Sequence, residues 1–281
     1  MLLAVADWCA QRAVLWELPS QRQIGIVGEP SGYCTGVAFS PDGKLLATVG
    51  TNVQIWGIPS RKRILAFQTP GGSASVAFHP SRPLLAIGCD DLRLFDSQNG
   101  QPMKWLAGIP TNGVRRVAFS PNGNTIALGM EDGQVSLWDF ITRQPLARFH
   151  GHTNEVNALC FSRNGLFLAS AGTDRRVVLY YLRQGVSTLL QGHRAGLSGL
   201  AFAPDNKTLV SASWDGTIRF WSVASRELVL TLAHDGGSVG SVAFSADGNI
   251  MATSGNDATA RLWPAAKSDP VSASPKAIVK K

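Results

Sequence analysis

The chain has 281 residues, 44 % of them apolar and 16 % charged, with 29 glycines. That length fits one all-β domain with a sizeable core, and the mixture excludes a disordered chain and a long-helix protein. The formal charge of +7 is spread thinly, with Lys267, Lys276, Lys280 and Lys281 near the C-terminus and Arg61-Lys62-Arg63 the densest cluster elsewhere, so it is too weak a footprint to read as nucleic-acid binding.

The chain opens on two apolar phrases, LLAVA from Leu2 and AVLW ending at Trp16. They read as strands rather than a signal peptide, because no basic stretch precedes them and Asp7 and Arg12 interrupt the apolar run. No run of about 18 apolar residues follows, so no transmembrane helix and no membrane partner is expected. From Val37 a three-phrase unit then repeats. VAFSPDG, LLATVG and VQIW end at Trp56; VAFHPSR, LLAIGC and LRLF end at Phe95; VAFSPNG, TIALGM and VSLW end at Trp138. LCFSRNG, FLASAG and VVLY end at Tyr180; LAFAPDN, TLVSAS and IRFW end at Trp221; VAFSADG, IMATSG and ARLW end at Trp263.

The closing aromatics are spaced 39 to 43 residues apart, the period of a four-stranded propeller blade. Each phrase is short, apolar and β-branched and is bounded by Gly, Pro, Asp or Asn, which marks strands joined by tight turns. The phrases become strands a, b and c, and a weaker fourth strand d follows each aromatic. One such sheet has two apolar faces, and radial stacking of blades buries both. Seven aromatics therefore predict seven blades, closed into a ring, over residues 1–264. Blade 1 starts at strand b and lacks its innermost strand, and blade 7 ends at strand c. The tail, 265–281, is rich in Ala, Ser, Pro and Lys and is expected to be flexible, although Ala277–Val279 could patch the outer edge of blade 7. The start inside a blade raises the expectation that an upstream stretch supplies the missing strand. The four cysteines fall in different repeats without C-x-x-C spacing, as reduced thiols of a cytoplasmic protein would.

These repeats resemble the WD-repeat family over residues 2–263. Gly151-His152 and Gly192-His193 match its Gly-His mark, Ala233-His234 matches in part, and Trp138-Asp139 is a literal Trp-Asp pair. Asp132, Asp174, Asp215 and Asp257 each stand six residues before a closing aromatic. The resemblance implies an all-β, seven-bladed WD-repeat-type β-propeller. It also implies a buried His–Ser/Thr–Asp–Trp tetrad: His193, Ser211, Asp215 and Trp221 in blade 6, and His234, Thr253, Asp257 and Trp263 in blade 7. Blade 5 holds His152, Ser170 and Asp174 with Tyr180 for the indole. Blades 2 to 4 lack the Gly-His and are expected to rely on apolar packing.

A His, Ser and Asp that recur at the repeat period read as scaffold, because catalysis needs one asymmetric site. His150-Gly151-His152 has no apparent third ligand, so no metal site is read there, and no phosphate- or cofactor-binding motif occurs. The resemblance implies a non-catalytic scaffold for proteins or peptides. Two alternatives stay open: a ligand- or metal-binding enzymatic propeller of the dehydrogenase or lactonase class, and a sensor or docking domain of a larger signalling protein. The a–b turns are short and alike, so a partner is expected at the b–c turns. There Trp214 should point outward, with Arg115 and Arg194 before their strands a and the acids Asp90 and Glu131 nearby.

Overall fold

In a computed structural model, residues 2–7, 12–18, 20, 22–28, 32–69, 72, 74–104, 113–257, 259–264 and 276–279 are described. Every regular element among them is a β-strand. The chain divides into two compact units, Met1–Phe149 and His150–Lys281.

The first unit holds four blades. Blade 1 is β1 (Leu2–Asp7), β2 (Arg12–Glu17) and β3 (Arg22–Gly28). Blade 2 is β4 (Cys34–Phe39), β5 (Leu45–Gly50), β6 (Val53–Gly57) and β7 (Lys62–Phe67). Blade 3 is β8 (Ser75–Phe78), β9 (Leu84–Gly88), β10 (Leu92–Asp96) and β11 (Pro102–Met103), and blade 4 is β12 (Val114–Phe119), β13 (Thr125–Met130), β14 (Val135–Asp139) and β15 (Pro145–Phe149). The second unit holds three. Blade 5 is β16 (Val156–Phe161), β17 (Phe167–Gly172), β18 (Val177–Tyr181) and β19 (Val186–Leu190). Blade 6 is β20 (Leu197–Phe202), β21 (Thr208–Ser213), β22 (Thr217–Ser222) and β23 (Leu228–Ala233), and blade 7 is β24 (Val239–Phe244), β25 (Ile250–Gly255), β26 (Thr259–Pro264) and β27 (Lys276–Val279). Each sheet is an antiparallel meander in chain order. The blade count is that of a seven-bladed β-propeller, and blade 1 has three strands.

Blade 7 does not end at strand c, and the alternative that Ala277–Val279 patches its outer edge is the one observed. Its outer strand is present, because β27 pairs antiparallel with β26, Ile278 opposite Ala260. A tail segment thus satisfies the backbone groups that an outer edge leaves open. The rest of the tail, 265–275 and 280–281, and Trp8, Cys9 and Trp105 lie outside the described residues.

Blade faces are covered by their neighbours within each unit. Leu46 and Trp56 of blade 2 pack with Ala13, Leu15 and Val27 of blade 1, and the other side of blade 2, Val49 and Ile55, packs with Leu85 and Ile87 of blade 3. In the second unit Leu179 and Leu197 join blades 5 and 6, and Val210 and Val239 join blades 6 and 7. A fully buried Leu or Ile of this kind contributes about 1.5–3 kcal/mol over leaving it in water.

The a–b turns of blades 2, 4, 5 and 7 repeat one device. Ser40 donates its hydroxyl to Asp42 at 2.6 Å and accepts from the Leu45 amide at 2.9 Å. Ser120 with Asn122, Ser162 with Asn164 and Ser245 with Asp247 do the same. The c–d turns also share a shape. Gly100 and Gly185 take the left-handed backbone there, and Arg61, Arg143 and Arg226 take it at the matching place in blades 2, 4 and 6. A side chain costs about 1–2 kcal/mol in that region. Arg226 has contacts to offset it, since its Nε donates to the Tyr181 hydroxyl at 3.2 Å and its guanidinium lies 4.9 Å from that ring's centre. Arg143 is exposed, with no side-chain contact of that kind among the described residues. Arg143→Gly should therefore stabilise the chain by about 1 kcal/mol and Arg226→Gly should not, compared by chemical denaturation. Equal effects would contradict the assignment.

Candidate functional site

The b–c-turn ends of the blades carry the residues singled out from sequence. In blade 6 the turn Asp215 is the hub of a buried chain of hydrogen bonds. His193 Nδ1–H donates to Asp215 Oδ2 at 2.9 Å, Ser211 Oγ lies 2.8 Å from His193 Nε2, and Trp221 Nε1–H donates to Ser211 at 2.8 Å. The protons are forced: the indole only donates, so the Ser hydroxyl is free to donate to Nε2, and Nδ1 keeps its proton for the carboxylate. Blade 5 repeats this with His152, Asp174 and Ser170, and the Tyr180 hydroxyl stands 3.0 Å from Ser170.

Blade 7 is arranged differently. Trp263 donates to Thr253 at 2.9 Å, but Arg261 donates to Asp257 at 2.9 Å and stands 2.7 Å from both ring nitrogens of His234. Blades 2 and 4 correct the expectation of apolar packing alone. Trp56 donates to Thr48 at 3.3 Å and Trp138 to Ser136 at 3.2 Å, because a buried indole N–H left unpaired is costly.

Burial holds the imidazoles of His79, His193 and His234 below their ordinary value. His79 is locked neutral by geometry too. Its Nδ1 accepts the amides of Ser81 and Arg82 at 3.1 Å each, and its Nε2 donates to the Gly123 carbonyl of blade 4 at 3.1 Å. Above about pH 6.5 these rings are neutral in both folded and unfolded chains; below it the unfolded chain takes up protons that the folded chain resists. Stability should therefore fall as pH drops from about 6.5 toward 5. Burial alone would raise the Asp215 carboxyl, but bonds from Thr217, the Arg194 amide and His193 together outweigh it and hold it at about 2. That contribution is present above about pH 4 and is lost as pH falls toward 2. A urea midpoint unchanged between pH 7 and 5 would contradict the histidine assignment.

In the first unit, Asp90, Arg115 and Glu131 line one cavity of about 150 Å³ with Tyr33, Thr35, Gly72, Ala74, Cys89 and Gly113. A β-bulge shapes it. Where β4 meets β5 the register slips between Cys34 and Gly36, and where β12 meets β13 it slips between Val114 and Arg116. The bulged residues are Thr35 and Arg115, and bulges re-aim side chains. Arg115 thus stands within strand a of blade 4, not before it as read from sequence. Its guanidinium pairs with Glu131 at 3.3 Å. Sequence reading did not single out Tyr33, Thr35, Gly72, Ala74, Cys89 or Gly113 for this site.

In the second unit, Trp214 is 46 % exposed. Its six-membered ring lies on Gly196, where an added Cβ would come within 2.6 Å of it, beside Thr173 of blade 5. The ring therefore covers the segment that enters strand a of its own blade and offers the rest to solvent. Its amide donates to the Gly196 carbonyl at 2.9 Å and its carbonyl accepts from Ser238 at 3.0 Å, which fixes the turn. Arg194 precedes strand a of blade 6, and its amide is bonded to Asp215 at 2.8 Å while the residue stays exposed. Among the described residues no group of three or more His, Cys, Asp or Glu is placed to hold a metal ion, and no helix is long and apolar enough to cross a membrane.

The family model described as the IFT122 first beta-propeller matches residues 3–263. Among curated relatives, Actin-interacting protein 1 of Drosophila melanogaster is 29 % identical over 207 residues, 68 % of this chain and 33 % of its own length. Nuclear distribution protein nudF 1 of Talaromyces marneffei is 31 % identical over 158 residues, 52 % of this chain and 34 % of its own. An uncharacterized WD repeat-containing protein of Synechocystis sp. is 36 % identical over 132 residues, 46 % of this chain and 37 % of its own. The match thus spans about a third of the length of each of these relatives.

Proposed function

This chain belongs to the WD-repeat β-propeller family of the IFT122 first-propeller type, and we propose that it is a non-catalytic scaffold that seats proteins or peptides on the b–c-turn ends of its blades. The contrast between the two ends of the blades carries this reading. The a–b turns of blades 2, 4, 5 and 7 are near-copies of one hydrogen-bonded loop, and like loops give a partner little to discriminate. The b–c ends differ from blade to blade, with a charged cavity in one unit and a half-exposed Trp214 in the other. Exposed Trp is rare on surfaces and enriched where binding energy concentrates. The name of the Drosophila relative, Actin-interacting protein 1, fits protein contact as the mode of action. A cytoplasmic setting fits the thiols of Cys89 and Cys160, which form no disulfide among the described residues, as a reducing compartment keeps them. Proteins or peptides, rather than a membrane surface or a nucleic acid, are the partners this reading names.

The test is capture from a cell extract by immobilised wild type, Trp214→Ala and Lys44→Glu, the last a control at an a–b turn. A protein held by wild type and Lys44→Glu and lost from Trp214→Ala is the expected result. Unchanged capture of every partner by Trp214→Ala combined with Arg115→Glu and Arg194→Glu would overturn the reading.

A further inference from the structure

The cavity in the first unit has a chemistry of its own. It is about 150 Å³, below the roughly 300–1,000 Å³ of pockets that enclose a small-molecule ligand. That is room for one side chain of a docked segment.

Its charges select which one. Asp90 and Glu131 bring two carboxylates, and Arg115 brings one guanidinium, 3.3 Å from Glu131. The neighbouring acid Asp91 is spent on Arg93, at 2.7 Å. The Asp90 carboxylate is exposed and has no ion pair among the described residues. The cavity is therefore net negative by one charge on a chain that is positive by seven. Tyr33, 43 % exposed, adds an aromatic ring to the lining, and a ring face attracts a cation. Its hydroxyl sits over Gly72, where a Cβ would come within 2.9 Å. The amide of Gly113 is bonded to the Asp90 carbonyl and the Gly113 carbonyl to the Glu131 amide, at 3.0 and 2.9 Å. Those backbone bonds tie the two acids to one short segment and fix their spacing before any ligand arrives.

We infer that this cavity takes one cationic side chain, a lysine or an arginine, of the segment that docks at the b–c-turn end. The inference rests on the scaffold reading for the origin of that segment, but not for the chemistry of the cavity. The entering cation becomes the ion-pair partner of Asp90. Arg115 repels an acidic side chain and, through its pair with Glu131, limits how much negative charge the cavity shows. Arg115 is therefore a specificity residue: its removal strengthens cation binding.

The test is titration of the chain with acetyl-Gly-Arg-Gly-amide and acetyl-Gly-Lys-Gly-amide, followed by amide NMR shifts. The citrulline peptide, with the shape of the arginine one and no charge, and the glutamate peptide are the controls. The basic peptides should bind in the millimolar range and shift the amides of 89–91, 113 and 131. Asp90→Asn should weaken binding about fivefold, the scale of one exposed ion pair. Glu131→Gln should also weaken it, and Arg115→Ala should strengthen it. Asp90 and Glu131 are exposed, so neither substitution disturbs the core. Equal binding of the citrulline peptide, preference for the glutamate peptide, or no shift at about 10 mM peptide would each overturn the inference. A captured partner that needs Trp214 yet ignores Asp90→Asn would overturn it as well, while leaving the scaffold reading in place.

Discussion

Asp215→Ala should lower the stability of the folded chain by about 3–5 kcal/mol, the cost of losing several charge-assisted bonds and leaving a buried donor unpaired. The carboxylate is 7 % exposed and its partner His193 is 1 % exposed. It accepts four bonds, from His193 Nδ1, the Arg194 amide, the Thr217 amide and the Thr217 hydroxyl, at 2.6 to 2.9 Å. Its loss leaves the imidazole N–H buried without an acceptor and unties the turn that carries Trp214. Asp257→Ala in blade 7 should cost less than half as much. That carboxylate is 27 % exposed, so water can take its place beside Arg261 when it goes. Chemical denaturation of both variants beside wild type measures the difference. Equal costs, or a cost below about 1 kcal/mol for Asp215→Ala, would show that the tetrad does not hold the blade.

Gly50→Ala should cost about 3 kcal/mol or more, the upper end of what overpacking does. Gly50 ends β5, and a Cβ there would lie 1.8 Å from the carbonyl oxygen of Tyr33 and 3.2 Å from the Cα of Cys34. Both are backbone atoms of the segment entering strand a, so no rotamer change relieves the clash. Blade 6 places Ser213 at the matching end of β21 and converts the same proximity into a bond, its hydroxyl donating to the Gly196 carbonyl at 2.9 Å. Alanine has no such donor. Gly43→Ala is the control: it meets nothing within 4 Å and bears only the left-handed backbone, φ +69°, at about 1 kcal/mol. Because Tyr33 lines the cavity, Gly50→Ala should also remove the peptide-induced shifts. A thermal midpoint for Gly50→Ala no lower than that of Gly43→Ala would refute the clash.

Much of the blade pattern is visible in the chain because the closing aromatics and the Gly- and Pro-marked turns recur in register. Even the strand-a bulge has a trace. Cys34 and Val37, Val114 and Val117, Val156 and Leu159, Leu197 and Leu200, and Val239 and Val242 are apolar pairs three apart, where a regular strand would space them by two. Each bracket encloses a register slip. Counting Arg115 as a residue before its strand missed that signal. Asp90 and Glu131 stand out by their place beside the b–c turns. Tyr33, Gly72 and Gly113 do not, because they sit in connections that differ from blade to blade and carry no period. The role of Arg261 was hidden for another reason. Strand c holds Gln54, Ser136, Val178, Arg219 and Arg261 at one register position, and sequence does not show which of them reaches a neighbouring imidazole. The outer strand of blade 7 is similar, since Lys276–Val279 is short and follows a Pro-containing stretch that reads as linker.

Amide hydrogen exchange of the chain with and without a captured partner tests the scaffold reading most directly. New protection is expected at the b–c-turn ends, residues 89–91, 113–115 and 131–134 in the first unit and 173–175, 194–196 and 213–216 in the second. The a–b turns at 40–44, 120–124 and 245–249 should exchange as before. Protection confined to those a–b turns would contradict the account.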